Sequence, residues 1–176
     1  SLTHGVFAAG LTPAINTFTG AVELLSADDR QDVLAAAAGV ARGRRFLAGA
    51  LPDDTDGSLG ARYGRAIDAI VRQGGTAVML QTDELVSNDD DRIVEIYRQA
   101  TSGHRGVVAA ETGRAFPTPG RVYSLDLFHR LLDLPSLAGM LHASLDRVQE
   151  WYRIEARDVR RPDFRVYSGN ELAVDM

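Results

Sequence analysis

Residues 107–110 read V-V-A-A and residues 137–141 read L-A-G-M-L, and these two apolar runs begin 30 residues apart. Three more runs of this kind are residues 46–51, 77–81 and 164–167, so the five runs begin at intervals of 31, 30, 30 and 27 residues. Each run is too short for a helix and too uniformly apolar for a sheet with one face in water. Strands that are buried on both faces, as in parallel sheets, have this composition. The interval matches one βαβ unit, which takes about 30 residues or more.

The segments between these runs carry signals typical of helices. Ser26 and Asn88 each stand three residues before an aspartate, a spacing that predicts the start of a helix. Val148, Trp151 and Tyr152 recur at helical spacing, and we expect them to face the core. The predicted helices are residues 26–42, 61–73, 88–100, 124–132 and 146–157.

This alternation of buried strands and helices predicts an α/β fold, either an open doubly wound sheet or a (β/α)₈ barrel. A glycine-rich phosphate loop would favour the open sheet, but the sequence contains neither G-x-G-x-x-G nor G-x-x-x-x-G-K-[ST]. Composition does not separate the two architectures. The length of 176 residues predicts a single domain over residues 1–176.

The composition excludes several classes of function. With 19 basic and 24 acidic side chains the formal net charge is −5, which gives no support for a nucleic-acid-binding surface. No apolar run approaches the ~18 residues of a membrane helix, and no leader is recognisable, so we expect a cytoplasmic protein that binds no membrane. Cysteine is absent, which excludes disulfides and a cysteine nucleophile. All 19 basic residues are arginine, so no lysine in this sequence can form a Schiff base.

Seven fragments, taken in order, resemble one enzyme family. Residues 5–13 read G-V-F-A-A-G-L-T-P and resemble G-x-x-x-A-x-x-T-P, the first strand of the dihydrodipicolinate synthase / N-acetylneuraminate lyase family. Residues 17–30 align without gaps with the family's G-T-T-G-E-x-x-x-L-S-x-x-E-R segment. The other five matches are residues 46–51, 74–80, 113–114, 137–146 and 166–171. The resemblance implies a (β/α)₈ barrel of the aldolase type that assembles as a homo-oligomer, a dimer or tetramer.

The sequence is short for such a barrel, which typically takes about 250 residues. Between residues 13 and 17 the family has a whole helix and most of a strand. We therefore expect that roughly 30 residues are missing around Ala14–Asn16 and that the C-terminal units are also absent. A natural half-barrel is the alternative, and an intact mass of 19.0 kDa would favour it.

The resemblance also carries a chemical expectation. In the family, a lysine at the end of the sixth strand forms a Schiff base with a 2-keto acid such as pyruvate, and Leu141 stands at that position. Ala109 aligns with the tyrosine that relays the proton. In the loop that binds the keto-acid carboxylate, Phe18 replaces the first threonine and Thr19 keeps the second. Leucine has no lone pair to attack a carbonyl, so Schiff-base chemistry at this position is excluded.

Five polar residues remain as candidates for a site at the carboxyl ends of the strands. Arg114 matches the family arginine that contacts a substrate carboxylate, and its guanidinium suits bidentate binding. Thr19 and Ser168 are further candidates for substrate binding. Glu111 and His142 directly follow two apolar runs, so they are expected to meet at the barrel mouth as a catalytic acid–base pair. The structural alternatives are a surface ion pair for Arg114, a turn for Thr19, and solvated or hydrogen-bonded loop positions for the other pair.

Two functions are consistent with these residues. The first is a divergent family member that binds a small carboxylate-bearing metabolite, a keto acid or sugar acid, and acts as a lyase or isomerase without a Schiff base. The second is a catalytically inactive barrel that serves as a ligand sensor or as the partner of an active paralogue. Neither hypothesis requires a cofactor, and no spacing of histidines and carboxylates predicts a metal site.

Overall fold

The fold is built from strands and helices in regular alternation. A computed structural model describes residues 2–113 and 120–169. Its strands are β1 (Ala14–Ile15), β2 (Leu47–Ala50), β3 (Thr76–Met79), β4 (Val107–Thr112), β5 (Leu137–Ala143) and β6 (Arg165–Ser168). Its helices are α1 (Leu2–Ala8), α2 (Ala27–Ala41), α3 (Leu59–Arg72), α4 (Asp83–Val86), α5 (Asp90–Ala100), α6 (Leu125–Leu132) and α7 (Arg147–Arg160).

The six strands form one sheet in the order β1-β2-β3-β4-β5-β6, and every neighbouring pair is parallel. Each strand after the first therefore lies beside the strand that precedes it, and a helical crossover connects most of these pairs. Sequential parallel order of this kind is the order of a (β/α)₈ barrel, whereas a doubly wound sheet changes direction at a switch point.

The two faces of the sheet have different partners. One apolar cluster joins the strands to the buried sides of α2, α3, α5 and α6. The other contains the opposite side chains of the strands, with Phe18 and Val22 from two short 3₁₀ turns that follow β1. We call these the helix-facing side and the inner face. Because these helices cover one side only, the architecture is that of a barrel segment, and the doubly wound alternative is excluded for the described residues.

Most sequence-predicted elements are confirmed to within a few residues. The predicted capping box is present, because the Ser26 side chain accepts from the Asp29 backbone N–H and the Asp29 carboxylate accepts from the Ser26 backbone N–H. One start differs by a residue. Asp89 caps α5, whereas the side chain of Asn88 bonds back to the Glu84 and Leu85 carbonyls.

The expected first strand at residues 5–13 is wrong. Residues 2–8 form α1, which packs on α2, and the guanidinium of Arg44 lies 3.8 Å from the centre of the Phe7 ring. The place beside β2 is taken instead by Ala14–Ile15, in the register Ala14 to Leu47. An apolar, glycine-containing stretch fits either structure, and here the strand position is already filled.

The prediction for the last helix is also wrong in its orientation. Val148, Trp151 and Tyr152 are 58%, 49% and 44% exposed, while the buried positions of α7 are Glu150 and Arg153. The reason is electrostatic. The Arg153 guanidinium pairs with the buried carboxylate of Glu111 on β4, and this ion pair fixes which side of α7 faces the sheet.

A complete eight-unit barrel is not formed by residues 2–113 and 120–169, which supply six parallel strands. The coarser part of the expectation, an α/β barrel architecture, is confirmed, and the described residues make up a half-barrel with its helices. The expectation of roughly 30 missing residues near Ala14–Asn16 stays a prediction for intact-mass measurement.

Candidate functional site

A cavity of about 390 Å³ opens at the carboxyl ends of β1, β2 and β3. Barrel enzymes place their active sites at this end of the strands. Apolar side chains from the inner face form one part of the lining, and charged side chains from the loops and helices that follow the strands form the other. The lining contains two arginines and four carboxylates among its twelve residues, which are Phe18, Val22, Glu23, Arg30, Leu51, Pro52, Asp54, Arg62, Gln81, Thr82, Asp83 and Glu84.

The two arginines of this cavity differ in how they are held. Arg62 pairs with Glu84 and also donates to the Asp53 carbonyl oxygen, at 3.2 Å. The side chain of Arg30 donates from Nη1 to the Leu25 carbonyl oxygen at 3.0 Å, and it has no carboxylate partner among residues 2–113 and 120–169. The Arg30 guanidinium is therefore the positive group of this cavity that remains available to an anion.

Backbone geometry holds the strand end beside Arg30. Asn16 is buried in the left-handed conformation, with φ of 49°, and its Nδ2 donates to the Arg30 carbonyl oxygen at 3.0 Å. A Cβ atom on Gly49 would lie 1.8 Å from the Asn16 carbonyl oxygen, so only glycine fits at that position of β2. The close approach brings the turn after β1 against the next strand and fixes the position of the cavity wall.

Gln81 and Thr82, which also line the cavity, have their side chains engaged in structural hydrogen bonds. Gln81 Oε1 accepts from the backbone N–H groups of Thr112 and Arg121, both at 3.0 Å, and its Nε2 donates to the Arg121 carbonyl oxygen at 2.8 Å. Thr82 caps α4 by accepting from the Leu85 N–H. Gln81 thus joins β3 to the chain near residue 120, and the side chains of both residues have little hydrogen-bonding capacity left for a ligand.

Leu141 lies on the inner face of β5, half-buried against Ala110 and Tyr167. Its side chain thus points towards the interior of the barrel segment, where the resemblance places the family's lysine. The position aligned with the family's tyrosine is different. Ala109 packs in the helix-facing cluster, and its neighbour Ala110 is the residue that faces Leu141 across β4 and β5.

Glu111 and His142 do lie together, but on the other side of the sheet. They are registered neighbours on β4 and β5, and Nδ1 of His142 lies 2.6 Å from Oε1 of Glu111. Both residues are 0% exposed. Since side chains alternate along a strand, Glu111 shares the helix-facing side with Ala109, and His142 shares it with Met140. The expected position of this pair at the barrel mouth is therefore corrected to the layer between sheet and helices.

Two further groups complete the surroundings of the Glu111 carboxylate. Arg153, also 0% exposed, donates from Nε to Oε1 at 2.7 Å and from Nη2 to Oε2 at 3.2 Å. The Tyr123 backbone N–H donates to Oε2 at 2.7 Å, and the Tyr123 carbonyl oxygen accepts from Arg153 Nη2 at 2.5 Å. We call Glu111, His142, Arg153 and the Tyr123 backbone the buried network.

The buried network determines the charge state of Glu111. Burial alone would raise the pKa of its carboxyl, but the hydrogen bonds from His142 and Arg153, together with their charges, lower that pKa below its ordinary value of 4.5. The carboxylate is thus ionised and fully bonded near neutral pH. Nε2 of His142 is buried and has no partner among the described residues.

Of the remaining predicted residues, Thr19 and Ser168 are not among those that line the cavity. Thr19 is exposed in the 3₁₀ turn after β1, with its hydroxyl 3.2 Å from that of Thr17, and it is not among the cavity-lining residues. Ser168 ends β6 and is in register with His142 rather than with Leu141. Arg114 lies outside the described residues. Substrate binding by these three residues stays a prediction.

Sequence reasoning missed two residues that matter here. Arg30 lies in the second fragment matched to the family, where it aligns with the last arginine of the motif, but the match gave it no predicted role in a site. Arg153 was hidden because the apolar stripe of its helix suggested the opposite orientation. The sequence indicates a buried Arg153 only weakly, because an arginine on a helix is usually a surface residue.

The described residues contain neither a membrane-spanning helix nor a cluster of metal-binding side chains. None of the helices there has the length and apolar character that crossing a bilayer requires. In the same part of the chain, no three histidine, aspartate or glutamate side chains lie close enough to hold a metal ion.

No protein-family model matches the sequence, and no curated protein matches it. Solved structures do match. A monomeric dihydrodipicolinate synthase variant superposes with a TM-score of 0.77 at 16% identity, over 97% of this chain and 55% of that one. Dihydrodipicolinate synthase from Thermotoga maritima gives a TM-score of 0.76 at 16% identity, over 96% and 56% of the two chains.

N-acetylneuraminate lyase from Mycoplasma synoviae also matches, with a TM-score of 0.66 at 16% identity, over 93% of this chain and 51% of that one. The chain therefore spans about half the length of the structures it matches. These likenesses show that its fold is the fold of roughly half of such an enzyme.

Proposed function

We propose that this chain binds a small carboxylate-bearing metabolite, a keto acid or a sugar acid, in the cavity at the carboxyl ends of β1–β3, without forming an imine. The observation that carries the proposal is the Arg30 guanidinium, which lines this cavity without a carboxylate partner in the described part of the chain. A guanidinium binds a carboxylate through two parallel hydrogen bonds, and the adjoining wall of Phe18, Val22 and Leu51 suits a short carbon chain.

The absence of imine chemistry follows from the inner face of β5. Leu141 offers no nucleophile there, and the whole sequence lacks lysine. Dihydrodipicolinate synthase and N-acetylneuraminate lyase are enzymes of the matching fold, so the class of ligand comes to this chain by analogy. The site residues themselves support binding and give no support to Schiff-base catalysis.

We infer a positioning role for Glu111 and His142. Both are fully buried, neither lines the cavity, and the Glu111 carboxylate is already satisfied by Arg153 and the Tyr123 backbone. A general acid or base must come within hydrogen-bond reach of its substrate. The pair instead joins β4 and β5 to α7, and the inactive-barrel hypothesis is therefore favoured over the enzyme hypothesis.

The test is a panel of 2-keto acids and sugar acids, with binding followed as a rise in melting temperature. At least one compound is expected to stabilise the wild-type protein saturably, and Arg30→Gln is expected to weaken its binding about tenfold or more, because a charge-assisted bidentate pair is lost. Arg92→Gln is the matched control, since Arg92 is an exposed arginine without a side-chain partner among the described residues.

Treatment of the same complexes with borohydride distinguishes binding from catalysis of the family type. The proposal expects no added mass after reduction and no turnover of the stabilising compound. A stabilising compound that bound equally well to Arg30→Gln, or one that was converted to product in a manner abolished by Glu111→Gln alone, would contradict it.

A further inference from the structure

A second cavity, of about 420 Å³, lies at the opposite end of the sheet, at the amino ends of the strands. Three arginines line it from three different places along the chain. Arg45 precedes β2, Arg105 precedes β4, and Arg165 begins β6. We call this the arginine cavity.

None of these three guanidinium groups has an ion pair or a hydrogen bond to the described residues. Elsewhere in the chain, arginines are commonly paired, as Arg121 is with Asp90 and Arg160 with Asp133. Asp163 is the one carboxylate in the lining of the arginine cavity, and it pairs with Arg161 at 3.6 Å. The arginine cavity therefore combines three positive charges with one carboxylate that already has a partner.

Its other polar side chains are donors without partners in the described residues. Thr76 and Tyr167 line the cavity, and neither hydroxyl makes a hydrogen bond within residues 2–113 and 120–169. Tyr167 lies on the inner face, half-buried, so the cavity extends from the strand ends towards the interior of the barrel segment. The lining thus offers the N–H donors of three guanidinium groups and two hydroxyl groups that can also donate, and its one carboxylate is already paired.

Such an arrangement opposes the overall charge of the chain, which is −5. Three like charges around one small cavity repel each other, and a bound anion would convert that repulsion into attraction. The separation of the three arginines along the chain means that the fold, rather than a basic stretch of sequence, brings them together.

From these observations we propose that the arginine cavity binds a small phosphorylated anion that carries at least two negative charges. Guanidinium groups bind phosphate oxygens bidentately, and three of them suit a group whose oxygens are displayed in several directions. A volume of about 420 Å³ accommodates a small metabolite bearing such a group. The proposal concerns the end of the sheet opposite to the carboxylate cavity, and it stands independently of the function proposed above.

The probe is inorganic pyrophosphate, added to the wild-type protein and followed by calorimetry and by melting temperature. We expect saturable binding that weakens as salt is raised, because the contacts are between exposed charges. The double variant Arg105→Gln/Arg165→Gln is expected to lose at least tenfold in affinity. Tyr167→Phe is expected to lose a smaller factor, since it removes one donor and no charge.

Three controls make the outcome decisive. Arg92→Gln removes one positive charge at a residue that does not line the arginine cavity, and Arg30→Gln removes the arginine of the other cavity, so both should bind pyrophosphate as the wild type does. The double variant should nearly keep the melting temperature of the free protein, because the exposed side chains of Arg105 and Arg165 form no hydrogen bond or ion pair with the described residues that the change would remove. No saturable binding of pyrophosphate, an equal loss in Arg92→Gln, or tighter binding of citrate than of pyrophosphate would overturn the proposal.

Discussion

Leu141 and His142 are adjacent in the sequence, but they face opposite sides of the sheet and lie in very different surroundings. Leu141 lies on the inner face, half-buried in the apolar cluster that also contains Ala110 and Tyr167. His142 lies on the helix-facing side, 0% exposed, in the buried network with Glu111 and Arg153. The inner face thus carries an alkyl side chain at residue 141, where the resemblance places an amine, while the acid–base pair Glu111 and His142 lies on the helix-facing side and does not line the cavity at the carboxyl ends of β1–β3.

The comparison shows why residue type alone misleads at strand ends. A carboxylate next to an imidazole suggests acid–base chemistry, yet the alternation of the strand directs both groups away from the interior of the barrel segment. Packing then holds both side chains in the buried network, because a buried carboxylate is stable only when its charge is paired and its oxygens accept hydrogen bonds. We therefore expect changes on the helix-facing side to alter stability, and changes on the inner face or in its cavity to alter ligand binding.

The largest effect is expected from Glu111→Ala. This change leaves Arg153 as a buried charge without its carboxylate, and it should lower the free energy of unfolding by about 3–5 kcal/mol. Denaturant unfolding followed by circular dichroism measures the loss. Glu95→Ala is the matched control, because Glu95 forms only an exposed pair with Arg98 and should change stability by less than about 1 kcal/mol. Similar losses in the two variants would mean that the buried network is dispensable.

Acid should reproduce part of this loss in the unmodified protein. The pKa of Glu111 is lowered in the folded state, so its ionised form stabilises the fold above pH 4.5, the ordinary value, and the stabilisation disappears as pH falls through the folded pKa. Stability measured from neutral pH downwards should therefore decrease more steeply in the wild type than in Glu111→Gln. Parallel curves for the two proteins would contradict this account of the carboxylate.

A change on the inner face should lower the free energy of unfolding less than Glu111→Ala does, and it can introduce an amine that reacts with a keto acid. Leu141→Lys places a polar group at a half-buried position, and we expect a loss of about 1–3 kcal/mol in stability. Its amine faces the interior, so borohydride reduction in the presence of pyruvate should add a pyruvyl group that peptide mapping locates at residue 141. Val159→Lys, at a position that is 90% exposed on α7, is the control and should be labelled far less. Equal labelling of both variants would show that position 141 has no special access to the keto acid.

The smallest effect is expected on the outer side of α7. Trp151 is 49% exposed, so Trp151→Gln should change the free energy of unfolding by less than about 0.5 kcal/mol. Trp151 is the single tryptophan of the sequence, so its fluorescence in the wild type should be accessible to a soluble quencher such as iodide. A large loss of stability, or a tryptophan protected from iodide, would mean that this side of α7 is covered in solution.

Much of the fold was predictable because the strands are buried on both faces and recur at nearly constant intervals. Each of the five apolar runs contains a strand of the structure, and Ser26 caps α2 with the expected capping box. The first strand was not predictable, because residues 5–13 are short, apolar and glycine-containing, a pattern that fits a helix or a strand. Nor was the orientation of α7, where one buried ion pair outweighs the apolar stripe of Val148, Trp151 and Tyr152.

The candidate site was predictable only in part. The sequence correctly suggested that Glu111 and His142 come together, since they end consecutive parallel strands that prove to be neighbours. The face on which they meet depends on the register of alternation within each strand, and a single residue of uncertainty reverses it. Arg30 was not predictable as a cavity residue, because its location depends on how the turn after β1 packs against β2.

The most direct test of the division between the two faces compares Arg30→Gln with Glu111→Gln in one experiment, the melting temperature with and without the stabilising keto or sugar acid. We predict that Arg30→Gln, which loses one hydrogen bond to the Leu25 carbonyl oxygen, melts only slightly below the wild type in the absence of ligand but loses the shift that the ligand produces. Glu111→Gln should melt at a lower temperature without ligand and keep a full ligand-induced shift. The reverse pattern, with ligand response lost in Glu111→Gln and kept in Arg30→Gln, would place the functional site in the buried network and contradict the account.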